Sequence, residues 1–200
     1  MKHQISIVVF IAFITMAFAS HKPNHISKNK YSAITDTIPQ VCVYITPQEM
    51  EKVHPFTTLL TNTFPDPNSF ETYTGCHYQF YTKDEKPQIA VRLIKWESAQ
   101  QAAAEFRQQV QSHHDNTGLA PEKLYGAADS AYFGFNGEDT SLCDECGLVA
   151  IIGVYSIYIS IKGQYEKVPR AAKKLSALNI LQLMYDRIPG LSPRRIRIYQ

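Results

Sequence analysis

The sequence predicts an α+β fold, in which one antiparallel sheet of about five strands is covered by packed helices. Three observations carry this prediction. Several short segments alternate apolar and polar residues with the period of two that is typical of strands. Turn residues separate these segments at short intervals, as they do in hairpins. Two longer segments carry apolar residues at helical spacing.

The segment 147–163, GLVAIIGVYSIYISIKG, is the most apolar part of the chain after the first 20 residues. Its apolar run, 148–161, is shorter than the roughly 20 residues that a membrane-spanning helix needs. Its Ile, Val and Tyr side chains favour a strand, and Gly153 suits a tight turn. We therefore predict a central hairpin, with one long bent strand as the alternative.

The remaining strands and loops follow from alternation and from turn residues. Cys76–Tyr81 and Gln88–Trp96 both alternate and flank a charged turn, which predicts a second hairpin. Ala128–Phe135 is a further predicted strand. We expect Val41–Tyr44 to be a short extended piece, and Thr61–Gly75 and Asn116–Glu122 to be loops.

Three helices have recognisable starts. Thr46-Pro47-Gln48-Glu49 has the composition of a capping box with proline at the first helical position. Ser98 precedes a helix that we expect to end near His113-His114, a pair more often solvated than metal-binding. The last predicted helix begins near Pro169 and ends near Ile188, before Pro189-Gly190.

Residues 1–19 have the pattern of a secretory signal peptide, with Lys2 before an apolar segment and Ala17-Phe18-Ala19 at the cleavage position. We then expect a flexible arm over 20–40, one domain over 41–190 and a basic tail over 191–200. The protein is therefore expected to be exported, periplasmic or secreted, with no membrane span after cleavage. The formal charge of +2 falls to +1 when Lys2 is lost, which gives no reason to expect a nucleic-acid partner.

Four cysteines remain after the leader, and an oxidising compartment favours disulfides. Of the three pairings that four cysteines allow, we expect Cys42–Cys76 with Cys143–Cys146. The Cys143-Asp144-Glu145-Cys146 motif is also the best candidate for redox or metal chemistry. However, it precedes a strand rather than a helix, and its acidic residues disfavour a thiolate. Zinc would need two further ligands.

Four short motifs resemble a known group of proteins. They are Cys42 before the Thr46-Pro47-Gln48-Glu49 helix, Cys76-His77-Tyr78 opening a strand, YGAADSAY at 125–132, and the strand Tyr155–Gly163 before a final helix. Over residues 41–188 the chain resembles small exported bacterial domains of unknown function, many of them lipoproteins, with a PsbP-like α/β/α sandwich. The resemblance implies that fold and a disulfide from the first cysteine to the Cys-x-Tyr strand. It implies no catalytic residues. The chain departs from the group by lacking a lipoprotein cysteine and by adding Cys143 and Cys146.

One side of the predicted sheet combines polar and aromatic side chains, which suits contact with a ligand or partner. The alternative, which holds more often for such faces, is that a loop or helix covers it and the aromatics are ordinary packing. The candidate binding residues are His77, Gln79, Tyr81, Arg92, Trp96, Tyr132 and Tyr158.

The sequence lacks the patterns of the common hydrolases and nucleotide-binding enzymes. It contains no Gly-x-Ser-x-Gly, no His-Glu-x-x-His and no phosphate-binding glycine loop. We therefore expect a non-catalytic exported binding or accessory protein, without cofactor or metal, whose partner is a protein or small ligand. The alternatives are a thiol redox or metal-binding protein that uses Cys143 and Cys146, and an inhibitor or immunity protein against a secreted toxin.

Overall fold

Seven antiparallel strands form a single open sheet in the part of the chain that the structure describes. The computed structural model describes residues 38, 40–69, 72–80, 87–135, 145–163 and 168–188. The predicted leader and basic tail lie outside these residues, as do most of the predicted arm, Tyr81 and Cys143. No described helix is both long and apolar enough to cross a membrane.

The strand order is β1-β2-β3-β7-β6-β5-β4. Two meanders, β1–β3 and β4–β7, therefore meet at the β3–β7 pair in the middle of the sheet. The α+β class and the single antiparallel sheet are confirmed, whereas the predicted count of about five strands is wrong. The strands are β1 (Leu60–Pro65), β2 (Tyr73–Phe80), β3 (Gln88–Lys95), β4 (Glu122–Lys123), β5 (Ser130–Phe135), β6 (Glu145–Ile152) and β7 (Tyr155–Lys162).

The two additional strands lie at the edges of the sheet. β1 falls in the region for which two prolines, Pro65 and Pro67, predict a loop. Proline is tolerated there, since the strand is at the edge and Pro65 is its last residue. β4 has two residues, too few to show a period of two. The loop prediction for Thr61–Gly75 is therefore wrong at both ends, because β2 already begins at Tyr73.

The central hairpin is confirmed in its predicted place. β6 and β7 pair from Glu145 opposite Lys162 to Ile152 opposite Tyr155. Gly153 in the turn has a φ of +57°, a conformation in which glycine avoids the steric cost of a side chain.

Four helices complete the described fold: α1 (Val41–Tyr44), α2 (Pro47–Val53), α3 (Ala99–Thr117) and α4 (Arg170–Tyr185). The Thr46 amide donates to the Glu49 carboxylate at 2.9 Å, as the predicted capping box requires. The predicted Ser98 cap accepts from the Gln101 amide at 3.2 Å. The extended conformation predicted for Val41–Tyr44 is wrong. These residues form a helical turn instead. The Val41 amide at its start donates to Thr74 Oγ1 of β2, which fixes the turn against the sheet.

The helices lie on both faces of the sheet. On the core face, α4 packs its apolar side against Ile157, Ile159 and Ile161 of β7, and α1 packs against β2. The opposite side is called here the second face. It is contacted by α3, whose Phe106 ring lies 5.4 Å from the ring of Tyr132. The described fold is therefore layered, with helices above and below one sheet.

The predicted disulfide between Cys42 and Cys76 is confirmed. It joins α1 to the middle of β2, where Cys76 is fully buried. The Tyr78 hydroxyl, two residues further along β2, donates to the Ile45 carbonyl at 2.7 Å. Together these bonds hold the first helical segment against the core face.

We expect replacement of both cysteines, Cys42→Ala with Cys76→Ala, to lower the free energy of unfolding by about 3–4 kcal/mol. The disulfide spans a sequence separation of 34, and the loss of that closed loop stabilises the unfolded chain. Urea denaturation measures the change. Val43→Ala, on the same helix at a residue 70% exposed, is the control and should change stability by less than about 0.5 kcal/mol. A loss below about 1 kcal/mol in the double variant would contradict the structural role.

Candidate functional site

The second face is divided into two parts that differ in what covers them. Over β5–β7 it lies beneath α3, which contacts β6 and β7. Over β1–β3, α3 makes no contact as extensive as those with β6 and β7 among the described residues. We call the second part the open half. Its side chains include Asn62, Phe64, Tyr73, His77, Gln79, Gln88 and Arg92.

The open half is organised around the buried carboxylate of Asp66, whose side chain is only 4% exposed. The Tyr73 hydroxyl donates to Asp66 Oδ2 at 2.5 Å. His77 Nε2 lies 3.3 Å and Arg92 Nε 3.5 Å from the same oxygen. The Asn68 amide donates to the other oxygen, Oδ1, at 3.0 Å. One carboxylate therefore connects the β1–β2 loop to both β2 and β3.

The backbone places Asp66 directly on the sheet. It follows β1, and its amide donates to the Gly75 carbonyl at 2.9 Å. A Cβ added at Gly75 would lie 2.7 Å from Asp66 Cβ, so glycine leaves the space that Asp66 occupies. The Asp66 side chain accepts from an amide two residues later, which is the Asx turn that aspartate favours.

Asp66 remains ionised although it is buried. Burial alone raises the pKa of this carboxyl, because charge is disfavoured away from water. Hydrogen bonds from Tyr73, Asn68 and His77, with the nearby charge of Arg92, outweigh burial and lower the pKa to about 2. Burial, followed by the hydrogen bond to Asp66, raises the pKa of the Tyr73 hydroxyl. The proton therefore stays on Tyr73 and the charge stays on Asp66.

His77 is fixed by contacts on three sides. Its Nε2 faces Asp66, and its Nδ1 lies 2.6 Å from Gln88 Nε2. Its ring is stacked on Phe64 with 5.1 Å between centroids and 9° between planes. Because Nε2 faces Asp66 and Nδ1 faces Gln88, the orientation of the imidazole ring is fixed from both sides.

The residues predicted for the mixed face lie in three different environments. His77, Gln79 and Arg92 lie in the open half. Tyr132 and Tyr158 lie in the covered part, where burial raises the pKa of both hydroxyls. Trp96 follows β3, and its indole N–H donates to Ser156 Oγ at 2.6 Å. Tyr81 lies outside the described residues.

Gln88 of β3 was not among the predicted binding residues. Four residues from an earlier segment, Asn62, Phe64, Asp66 and Tyr73, were not predicted either. Their segment was interpreted as a long loop, so they were assigned to no face. A local signal was available in Asp66-Pro67-Asn68, since aspartate before proline favours the start of a turn. That signal predicts the turn, but it does not predict that the carboxylate folds back onto β2 and β3.

The predicted second disulfide lies partly outside the described residues. Cys146 is disulfide-bonded and fully buried on the core face, and Cys143 is not described. Among the described His, Cys, Asp and Glu residues, no group of three or more is arranged to hold a metal ion.

His113 of α3 is turned into the covered part of the second face, in contrast to the solvated pair expected from the sequence. A Cβ added at Gly134 would lie 2.9 Å from its ring. The ring also contacts the rings of Tyr132 and Phe135, and its Nε2 is buried without a hydrogen-bond partner. Burial, followed by the charge of His114, lowers the pKa of His113. Neutral His113 therefore suits the docked position of α3.

No protein-family model, curated protein or solved structure matches the chain.

We expect Asp66→Asn to remove part of the acid sensitivity of the fold. The folded pKa of about 2 lies below the ordinary value of 3.8, so ionised Asp66 stabilises the fold above about pH 4. That stability, about 2 kcal/mol, is lost as the pH falls from about 4 towards 2. Urea denaturation at pH 6 and pH 2.5 should show a smaller decrease in Asp66→Asn than in the wild type.

Glu49→Gln is the matched control for this experiment. The hydrogen bond from Arg187, with those from Thr46, lowers the pKa of Glu49 to about 2 despite some burial. Glu49 therefore titrates in the same range but far from the open half. The two variants should each remove a part of the pH dependence, and the double variant should remove the sum. An unchanged acid transition in Asp66→Asn would show that the carboxylate is not held as described.

We expect His113→Gln to reduce the loss of stability on mild acidification. Since the folded pKa of His113 is lowered, the unfolded chain binds the proton more tightly, and stability falls as the pH drops below about 6.5. Melting temperatures at pH 7.5 and pH 5 measure the effect. His114→Gln is the control, because its side chain is 58% exposed. Equal pH dependence in all three proteins would contradict the buried, neutral state of His113.

Proposed function

We propose that the chain is a non-catalytic exported binding or accessory protein that contacts its partner through the open half. The observation that carries the proposal is Arg92. Its side chain is 26% exposed, and among the described residues its two terminal nitrogens make no hydrogen bond. The predicted signal peptide and the resemblance to small exported domains support the exported location.

The open half has the composition of a contact surface. It combines an arginine, amide side chains and a stacked aromatic ring, and arginine and aromatic residues are enriched at interfaces. Asp66, Tyr73 and His77 hold these groups in place before any partner arrives. A surface that is already ordered loses less side-chain entropy on binding.

The alternatives use the same chain differently. A thiol redox function needs an accessible thiolate. Cys146 is buried and disulfide-bonded, so its position does not support the redox alternative. An inhibitor or immunity protein against a secreted toxin would also act through a surface, so the same experiment tests it.

We expect Arg92→Gln and Gln79→Ala to lose a partner that the wild type retains. The immobilised proteins are incubated with the exported fraction of the source cells, and retained proteins are identified by mass spectrometry. Gln79→Ala leaves the contacts of Asp66 untouched, so its effect reports on the surface and not on the cluster. Lys123→Ala, which removes an exposed cation on β4, is the control and should retain the partner.

Melting temperatures show whether each variant remains folded. Retention of the same proteins by the wild type and by both folded variants would remove the open half from consideration.

A further inference from the structure

The helix α3 is held on the sheet by far fewer buried side chains than α4. Of the 19 residues of α3, all of which the structure describes, only Ala102 is buried. The 16 residues of α4, which are also described throughout, include eight that are buried. Elements with few buried contacts open at a lower free energy than the rest of a fold. We therefore expect α3 to separate from the sheet more readily than α4.

His113 joins the C-terminal half of α3 to the sheet. A Cβ added at Gly134 would lie 2.9 Å from its ring carbon Cε1 and 3.0 Å from its Nδ1, so the ring lies directly on the glycine backbone. Its Nε2 is buried and has no hydrogen-bond partner among the described residues. A protonated imidazole carries an N–H group on both nitrogens. The docked position therefore suits the neutral ring, because it provides no acceptor for an N–H at Nε2.

The groups that contact the His113 ring do not stabilise a positive charge on it. The ring centroids of Tyr132 and Phe135 lie 6.2 and 6.5 Å away, just beyond the roughly 6 Å over which an aromatic face attracts a cation. The guanidinium carbon of Arg170 on α4 already lies 3.3 Å from the Phe135 centroid. His114, the next residue of α3, adds a charge that opposes protonation, although burial opposes it more.

The acidic groups of the surrounding elements are engaged elsewhere. Glu145 of β6 is paired with Lys162 of β7 at 3.0 Å. On α3 itself, Asp115 lies 3.7 Å from His114 Nδ1, and Glu105 is more than two turns away. None of these carboxylates is therefore placed to compensate a charge on the buried imidazole.

The tyrosines beneath α3 supply no negative charge either. Burial raises the pKa of the Tyr132 hydroxyl, and burial followed by the charge of Glu105 raises that of Tyr158. Both hydroxyls therefore keep their protons. Protonation of His113 is opposed while α3 is docked and is no longer opposed once the ring reaches water. Because the separated helix binds the proton more tightly, acidification shifts the equilibrium towards separation.

We propose that α3 is a pH-released cover, in which protonation of His113 separates the helix from β5–β7. Release uncovers Tyr132, Val149 and Tyr158, which lie side by side on the three strands. The covered part and the open half then form one continuous surface across the β3–β7 pair. The inference goes beyond the proposed function, because the open half is accessible whether or not α3 is docked.

The test is hydrogen exchange of the backbone amides of the folded protein at pH 7.5 and pH 5, corrected for the intrinsic exchange rate at each pH. A helix of this length is marginally stable in water by itself, so the amides of α3 exchange when it leaves the sheet. A released ring with the ordinary pKa of 6.5 favours release by up to about 30-fold at pH 5. We expect the protection of the α3 amides to fall about 5- to 30-fold.

Low concentrations of urea distinguish release of α3 from unfolding of the whole chain. Local separation exposes little surface, so exchange in α3 should depend only weakly on urea. Exchange in α4 follows the unfolding of the core and should accelerate with urea. These measurements use the wild type and do not depend on the folding of a variant.

Two pairs of variants test the part played by the imidazole. His113→Gln cannot be protonated, so the protection of its α3 amides should change by less than about twofold between the two pH values, whereas His114→Gln should retain the wild-type change. Gly134→Ala places a methyl group where the ring lies and should lower α3 protection at least about fivefold already at pH 7.5. Gly147→Ala is its matched control, because a Cβ there would lie 3.7 Å from the nearest atom, the Ile159 carbonyl oxygen.

Equal protection and equal urea dependence of α3 and α4 in the wild type would overturn the released cover. So would a wild-type pH effect in folded His113→Gln, or equal α3 protection in Gly134→Ala and Gly147→Ala.

Discussion

The pairing of β3 with β7 is the interaction on which the rest of the structure depends. All eight residues of β3 are in register with β7, from Gln88 opposite Lys162 to Lys95 opposite Tyr155. This pair joins the two meanders, so it places the open half and the part beneath α3 on one continuous face. It also brings Ile89, Val91 and Leu93 beside the isoleucines of β7 to form the centre of the core. Arg92 and Tyr158 are neighbours only because of this register.

The candidate site illustrates how a charge can be retained inside a fold. Burial of Asp66 is unfavourable by itself, but the carboxylate gains hydrogen bonds from a tyrosine, an amide and an imidazole, and the nearby positive charge of a guanidinium. Each donor comes from a different position in the chain, so the cluster exists only in the folded protein. His77 contacts Asp66 through Nε2 and Gln88 through Nδ1, so both of its ring nitrogens have partners. Among Asp66, His77 and Arg92, the side chain of Arg92 is the most exposed.

The features that could be predicted from the sequence are those with a local cause. The central hairpin follows from alternating β-branched residues on either side of Gly153, and the start of α2 follows from Thr46 and Glu49. Disulfides were expected from the even cysteine count in an oxidising compartment, whereas the choice of Cys42–Cys76 among three possible pairings was the one that the resemblance implied. The open half could not be predicted in full, because Asp66 follows a strand that ends in proline and its carboxylate contacts β2 and β3. Whether Tyr132 and Tyr158 were accessible depended on where α3 docks, and no local pattern specifies that position.

Glu49 connects two parts of the chain that are far apart in sequence. Its carboxylate completes the capping box of α2 and also accepts from Arg187, just beyond α4, with 2.6 Å between Arg187 Nη1 and Glu49 Oε2. Arg187 also donates to the carbonyl of Tyr44 at the end of α1. Separation of the last turn of α4 from α1 and α2 would therefore break several hydrogen bonds at once. Loss of this one junction would therefore release the first and last described helices from each other together.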